Sequence, residues 1–166
     1  MRKYGAWIGF ILLLIFIIGQ SVAIATGKDE VKINKEEVFQ TIQKGYEAQY
    51  AIRGKQLSME KMYERLSPYF TDNFLQVFTD ENSNDTKTSG NHLLSKKPPF
   101  SFTNQTKLAY DKEHGLLYVY ERVDEKGTLI YEIIILQQDK KKWKLAGYHA
   151  NEKLLTEIQQ LEKEQK

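Results

Sequence analysis

The chain has 166 residues, 24 Lys and Arg against 22 Asp and Glu, a net charge of +2 and no cysteine. Without cysteine, a disulfide framework and a lipid-modified cysteine anchor are both excluded. The small positive excess sits in Arg2 and Lys3, and the rest of the chain balances, so charge gives no support for nucleic-acid binding.

The N-terminus has the order that export requires. Met1-Arg2-Lys3 is basic, Tyr4 to Ile18 is apolar, and Ala23-Ile24-Ala25 places small residues where a signal peptidase cuts. Tyr4 to Ala25 is also long enough, at roughly 33 Å as a helix, to span a bilayer. Residues 1–25 are therefore expected to be a signal peptide, giving a secreted protein, or a membrane anchor through residues 4–25. In either case the C-terminus is expected outside the cytoplasm. Residues 26–33 read as a polar linker, 34–150 as one α+β domain and 151–166 as a C-terminal helix.

Asn34 followed by Glu37 predicts a capped first helix, with Val38, Ile42, Tyr46 and Tyr50 on one face beside Phe39. Arg53-Gly54-Lys55 ends it. Ser58 predicts the cap of a second helix carrying Met59, Met62, Tyr63 and Leu66 inward, and Pro68 stops it. Thr71 predicts the cap of a short third helix that buries Phe74, Leu75 and Phe78. The polar run Asp80 to Lys97 reads as a mobile connection.

From Phe100 the apolar period becomes two. Lys107 to Asp111, Gly115 to Val123, Thr128 to Gln138 and Lys142 to His149 are strand candidates rich in Tyr, Val, Ile and Leu. The short polar breaks between them permit only antiparallel hairpins. Asn151 is expected to cap a last helix with Leu154, Leu155, Ile158 and Leu161 inward. Helices, then a four-stranded antiparallel meander, then a helix make an α+β domain, with the helices expected on one sheet face.

Helices ending in Pro68-Tyr69-Phe70-Thr71-Asp72-Asn73-Phe74, a polar loop, and a meander whose last strand reads Lys142-Trp143-Lys144-Leu145 resemble the cystatin-like and NTF2-like α+β folds. Within these folds the chain looks like small uncharacterised exported proteins of Firmicutes. The resemblance covers roughly residues 34 to 150 and implies a fold, not an activity. Enzymes of the NTF2-like fold carry an Asp/His or Asp/Tyr set that has no counterpart in this sequence.

A four-residue loop, Asp124 to Gly127, would set Val123 opposite Thr128. One face then carries Leu116, Tyr118, Tyr120 and Arg122 with Leu129, Tyr131, Ile133 and Ile135, and is called here the tyrosine face. The other, the glutamate face, carries Leu117, Val119, Glu121 and Val123 with Thr128, Ile130, Glu132 and Ile134. Glu121 and Glu132 are expected as diagonal neighbours. A five-residue turn from Gln138 to Lys142 would bring Tyr148 opposite Glu132, and a one-residue slip would put it on the other face. Two carboxylates and a tyrosine among apolar residues have the chemistry of a ligand site or an acid/base pair. A half-exposed sheet predicts instead that both carboxylates face water while Tyr118, Tyr120, Tyr131 and Trp143 pack against the helices.

His92, His114 and His149 have no ligand spacing, and Asp80-x-Asn82-x-Asn84 lacks the glycine and bidentate glutamate of a calcium loop, so no metal is expected. Neither a nucleophile elbow nor a phosphate-binding glycine loop occurs, and no cofactor is expected. Lys140-Lys141-Lys142 reads as a solvated hairpin tip. Two functions remain. One is a non-enzymatic interaction module of the cell envelope with an envelope-protein partner, favoured by the lack of a catalytic set. The other is a small-ligand-binding protein or enzyme with a pocket between helices and sheet lined by Glu121, Glu132 and Tyr148.

Overall fold

In the computed structural model the described residues are 31–52, 55, 57–83 and 95–164, with no side chains described for 78–83. The export segment 1–25, the linker up to residue 30, and His92, Leu93 and Leu94 lie outside them. Helix α1 spans Lys35–Ala51, α2 Met59–Leu66 and α3 Asp72–Ser83. Strands β1 (Lys107–Asp111), β2 (Leu116–Glu125), β3 (Thr128–Asp139) and β4 (Lys142–Asn151) follow, and α4 spans Thr156–Glu164. Among the described residues no helix is long and apolar enough to cross a membrane.

The helix starts follow local chemistry. The Asn34 side chain accepts from the backbone N–H of Glu36 at 3.1 Å and Glu37 at 3.4 Å, satisfying two donors that the helix leaves unpaired. Ser58 Oγ accepts from Lys61 N, and Thr71 Oγ1 from Phe74 N. Along α1, Val38, Ile42, Tyr46 and Gln49 are buried, whereas Tyr50 is exposed because the stripe drifts past the sheet by the last turn. On α2 only Leu66 is fully buried, and Met59 remains 44% exposed. Helix α3 runs through Asp80 to Ser83, into the segment expected to be a connection. At the C-terminus Asn151 still belongs to β4, so the last helix starts five residues later than expected, at Thr156.

The sheet is a four-stranded antiparallel meander in the order β1-β2-β3-β4. Both long hairpins turn more tightly than expected. Lys126 and Gly127 take φ of 55° and 88°, and Lys140 and Lys141 take 50° and 68°. Paired positive φ values match the right-handed twist of the flanking strands, so two residues close each hairpin. In the β2–β3 hairpin Glu125 therefore faces Thr128, and Val123 faces Ile130 rather than Thr128. This correction moves the register by two, so face membership is unchanged. In the β3–β4 hairpin Gln138 faces Trp143, and a bulge between Ile135 and Leu136 inserts Ala146 on β4. Trp143 consequently lies on the glutamate face, not with Tyr118 and Tyr120. It is buried there with its ring edge-on to Tyr110, the centroids 6.1 Å apart. The bulge restores the alternation, which returns Tyr148 to the glutamate face opposite Ile134.

The helices are not gathered on one face. Helix α1 crosses the glutamate face so closely that a Cβ on Gly45 would stand 2.9 Å from Leu145 Cδ1. Phe70 extends this cover by a parallel bridge to Leu145, with Leu145 N donating to Tyr69 O and Thr71 N to Leu145 O. Helix α4 takes the opposite side. Ile158, with Leu154, Leu155 and Leu161, packs on Ala109, Tyr118, Tyr120 and Ile133. The Tyr120 hydroxyl also donates to Glu162 Oε1 at 2.7 Å. A sheet covered on both faces explains why β2 and β3 read as nearly continuous apolar runs, with Tyr118, Val119 and Tyr120 buried in succession.

Candidate functional site

Glu121 and Glu132 face each other directly across β2 and β3, and only 4% and 8% of their surfaces are exposed. The expectation that this face is solvated is therefore overturned. Its physical cause is the division of helices between the faces, which puts α1 over the glutamates while α4 shields the tyrosines. The row through the pair runs from Thr106, just before β1, through Glu121 and Glu132 to Ala150 on β4.

The two carboxylates are held differently. Glu121 Oε2 accepts from Thr106 Oγ1 at 2.6 Å and from Ser101 N at 2.9 Å. Both donors come from the segment leading into β1. Phe102, with φ of 55°, bends that segment and packs its ring edge-on against Phe39 of α1. Glu132 Oε2 is buried without a hydrogen-bond partner. Burial pushes the Glu132 carboxyl above its ordinary pKa, and the neighbouring Tyr148 hydroxyl offsets part of that rise. Burial also raises the Tyr46 and Tyr148 hydroxyls, each further opposed to ionisation by Glu132. Tyr46 of α1 and Glu132 of β3 thus lie inside the apolar layer, with Tyr148 of β4, 36% exposed, at its margin.

The structure brings Glu121 and Glu132 onto one face, as the alternation predicts, and Tyr148 joins them because the Ala146 bulge offsets the shorter β3–β4 turn. It spaces them differently, the glutamates directly opposed and Tyr148 one diagonal from Glu132. Tyr46, Ser101, Thr106 and Ala150 were missed. Tyr46 reads in sequence as one more apolar residue of a helix stripe, but Thr106 had a usable signal. Extending the β1–β2 register one step past Lys107 and Tyr120 sets Thr106 against Glu121.

A depression of about 640 Å³ lies elsewhere, along Asn151 to Glu157 in the connection to α4. A second hollow is lined by Gln49, Leu66, Phe70, Phe74 and Leu75. Neither includes Glu121, Glu132 or Tyr148. Among the described residues no three His, Asp or Glu side chains converge on a point. His114 instead pairs with Asp111 within the β1–β2 turn, Nδ1 to Oδ2 at 2.7 Å.

The β4 edge completes the site. At Leu145 it is occupied by Tyr69 and Thr71, whereas from Ala146 to Asn151 no strand pairs with it among the described residues. Tyr148, Ala150 and Asn151 are exposed there. Comparison with protein families matches residues 34–123, from α1 into β2, to a family described as a protein of unknown function (DUF3993). No curated protein and no solved structure matches.

Proposed function

We propose, for a chain that belongs to the DUF3993 family of proteins of unknown function, that it is a non-enzymatic interaction module working outside the cytoplasm. Residues 1–25 hold it at the membrane or release it after cleavage near Ala25. The domain then meets an envelope protein through the outer edge of β4. The observation that carries this reading is the β4 edge beyond Leu145, unpaired among the described residues, beside a sheet whose two faces helices already cover. An unpaired edge presents a row of backbone donors and acceptors that another chain can complete. The ligand-pocket alternative has weaker support, because Thr106 and Ser101 already occupy Glu121 Oε2 and the buried Tyr46 of α1 lies beside Glu132. The helix-first order and the meander support a cystatin-like or NTF2-like topology.

A photo-crosslinking residue at Ala150, and separately at the exposed Gln159 of α4, tests the reading in cells. A reporter active only outside the cytoplasm is fused after residue 166. We expect reporter activity and a protein adduct from position 150 but not from 159. A silent reporter refutes the location, and adducts absent from 150 refute the edge.

A further inference from the structure

We infer that the β4 edge receives an extended segment of a partner protein carrying an arginine or lysine, whose side chain crosses Ala150 to the Glu132 carboxylate. This inference rests on the reading of β4 as the docking edge and adds the chemistry of the partner.

Three observations point to the same occupant. First, Glu132 Oε2 lacks a hydrogen-bond partner although the residue is only 8% exposed. A buried acceptor without a donor is costly, and a carboxylate is best satisfied by a charged N–H group. Second, the row that contains it ends in the side chain least able to cover it. Thr106, Glu121, Glu132 and Ala150 lie side by side, and Ala150 is exposed with a side chain of one methyl group. Third, among the described residues β4 is the strand at which the sheet stops, so an added strand would place its own residue next in that row. Two strand spacings, about 10 Å, would separate that residue's Cα from that of Glu132. A long basic side chain covers such a gap when the residue between is alanine. Tyr148, 36% exposed and on the same face, offers its ring to the aliphatic stem.

The neighbours select the sign of the partner's charge. Glu121 is opposite Glu132, so the row holds two carboxylates and no base. A basic side chain would relieve the like-charge juxtaposition, whereas an acidic one would add a third carboxylate. Burial and the neighbouring Glu132 both oppose ionisation of Tyr148, which keeps its hydroxyl neutral beside the carboxylate.

The test uses the full chain in detergent micelles, isotope-labelled for NMR. Its probes are four peptides of alternating threonine and valine that differ only at the central residue, Arg, Lys, Gln or Glu. The expected result is amide shifts confined to Ala146–Asn151, with Arg and Lys binding about tenfold tighter than Gln, and Glu weakest. In Glu132→Gln the edge shifts should persist while the preference for Arg and Lys disappears. Equal binding of Arg and Gln peptides at the edge would overturn the basic-partner inference and leave the docking edge standing. Shifts absent from β4 with all four peptides would overturn both.

Discussion

Glu121 and Glu132 share one row of the sheet, yet their environments give them opposite effects on stability. Glu121 serves as acceptor for a buried hydroxyl and a backbone N–H, so Glu121→Ala leaves both donors unsatisfied. Urea unfolding should show a loss of about 2 kcal/mol. Glu132 has a folded-state pKa raised by burial, so the unfolded chain gives up its proton at lower pH than the folded protein. Its contribution is therefore most favourable below about pH 4 and is lost as pH rises through the raised folded value. Glu132→Gln removes that loss. It should raise stability at pH 7 by about 1 kcal/mol and flatten the decline in Tm between pH 4 and 7. If the two substitutions shift stability in the same direction at pH 7, Glu121 is not held by its two donors while Glu132 lies buried at a cost.

At the scale of single elements, two positions separate local preference from packing. Alanine is a better helix former than glycine by about 1 kcal/mol, so Gly45→Ala in an isolated α1 should stabilise. In the folded protein the added methyl group would meet Leu145 Cδ1 at 2.9 Å, and Leu145 is itself buried between α1 and the sheet. Overpacking of this kind costs about 1–3 kcal/mol, so a net loss of about 1 kcal/mol is expected in thermal unfolding. A gain would place α1 farther from β4. The β3–β4 turn has the reverse balance. Lys140 and Lys141 hold positive φ with side chains exposed to water, where asparagine and glycine adopt that backbone at less cost. Lys141→Gly should gain about 0.5–1 kcal/mol, read from the urea midpoint, and an unchanged or lowered midpoint would mean that the lysines make contacts worth more than their strain.

For the molecule as a whole, stability depends on closing both sides of the sheet. Helix α4 is short and amphipathic, too small to persist alone, but Ile158 is fully buried against Tyr118, Tyr120 and Ile133. Truncation after Asn151 would expose that cluster together with Leu116, Tyr131 and Ile135. The truncated chain should bind a hydrophobic dye and lose its cooperative thermal transition, while circular dichroism retains much of the sheet signal. A truncated protein that melts as sharply as the full chain would mean that the glutamate-face core suffices.

Element type and order were legible in the sequence because period, caps and turn residues act over a few positions. Asn34, Ser58 and Thr71 mark the helix starts that the structure has, and the four strand candidates all form. Face membership of Glu121 and Glu132 was legible for the same reason, since alternation survives a two-residue change of register, whereas Tyr148 keeps its face only because the bulge offsets the one-residue shift of the β3–β4 turn. Tertiary structure alone decided which face each helix covers, because Ile42 and Ile158 are equally apolar and carry no address. It also decided the tight turns and the Ala146 bulge, which carried Trp143 to the other face and set the two glutamates directly opposite. Burial of those carboxylates depends on α1 crossing residues far along the chain, and a contact between distant segments leaves no periodic trace in either one.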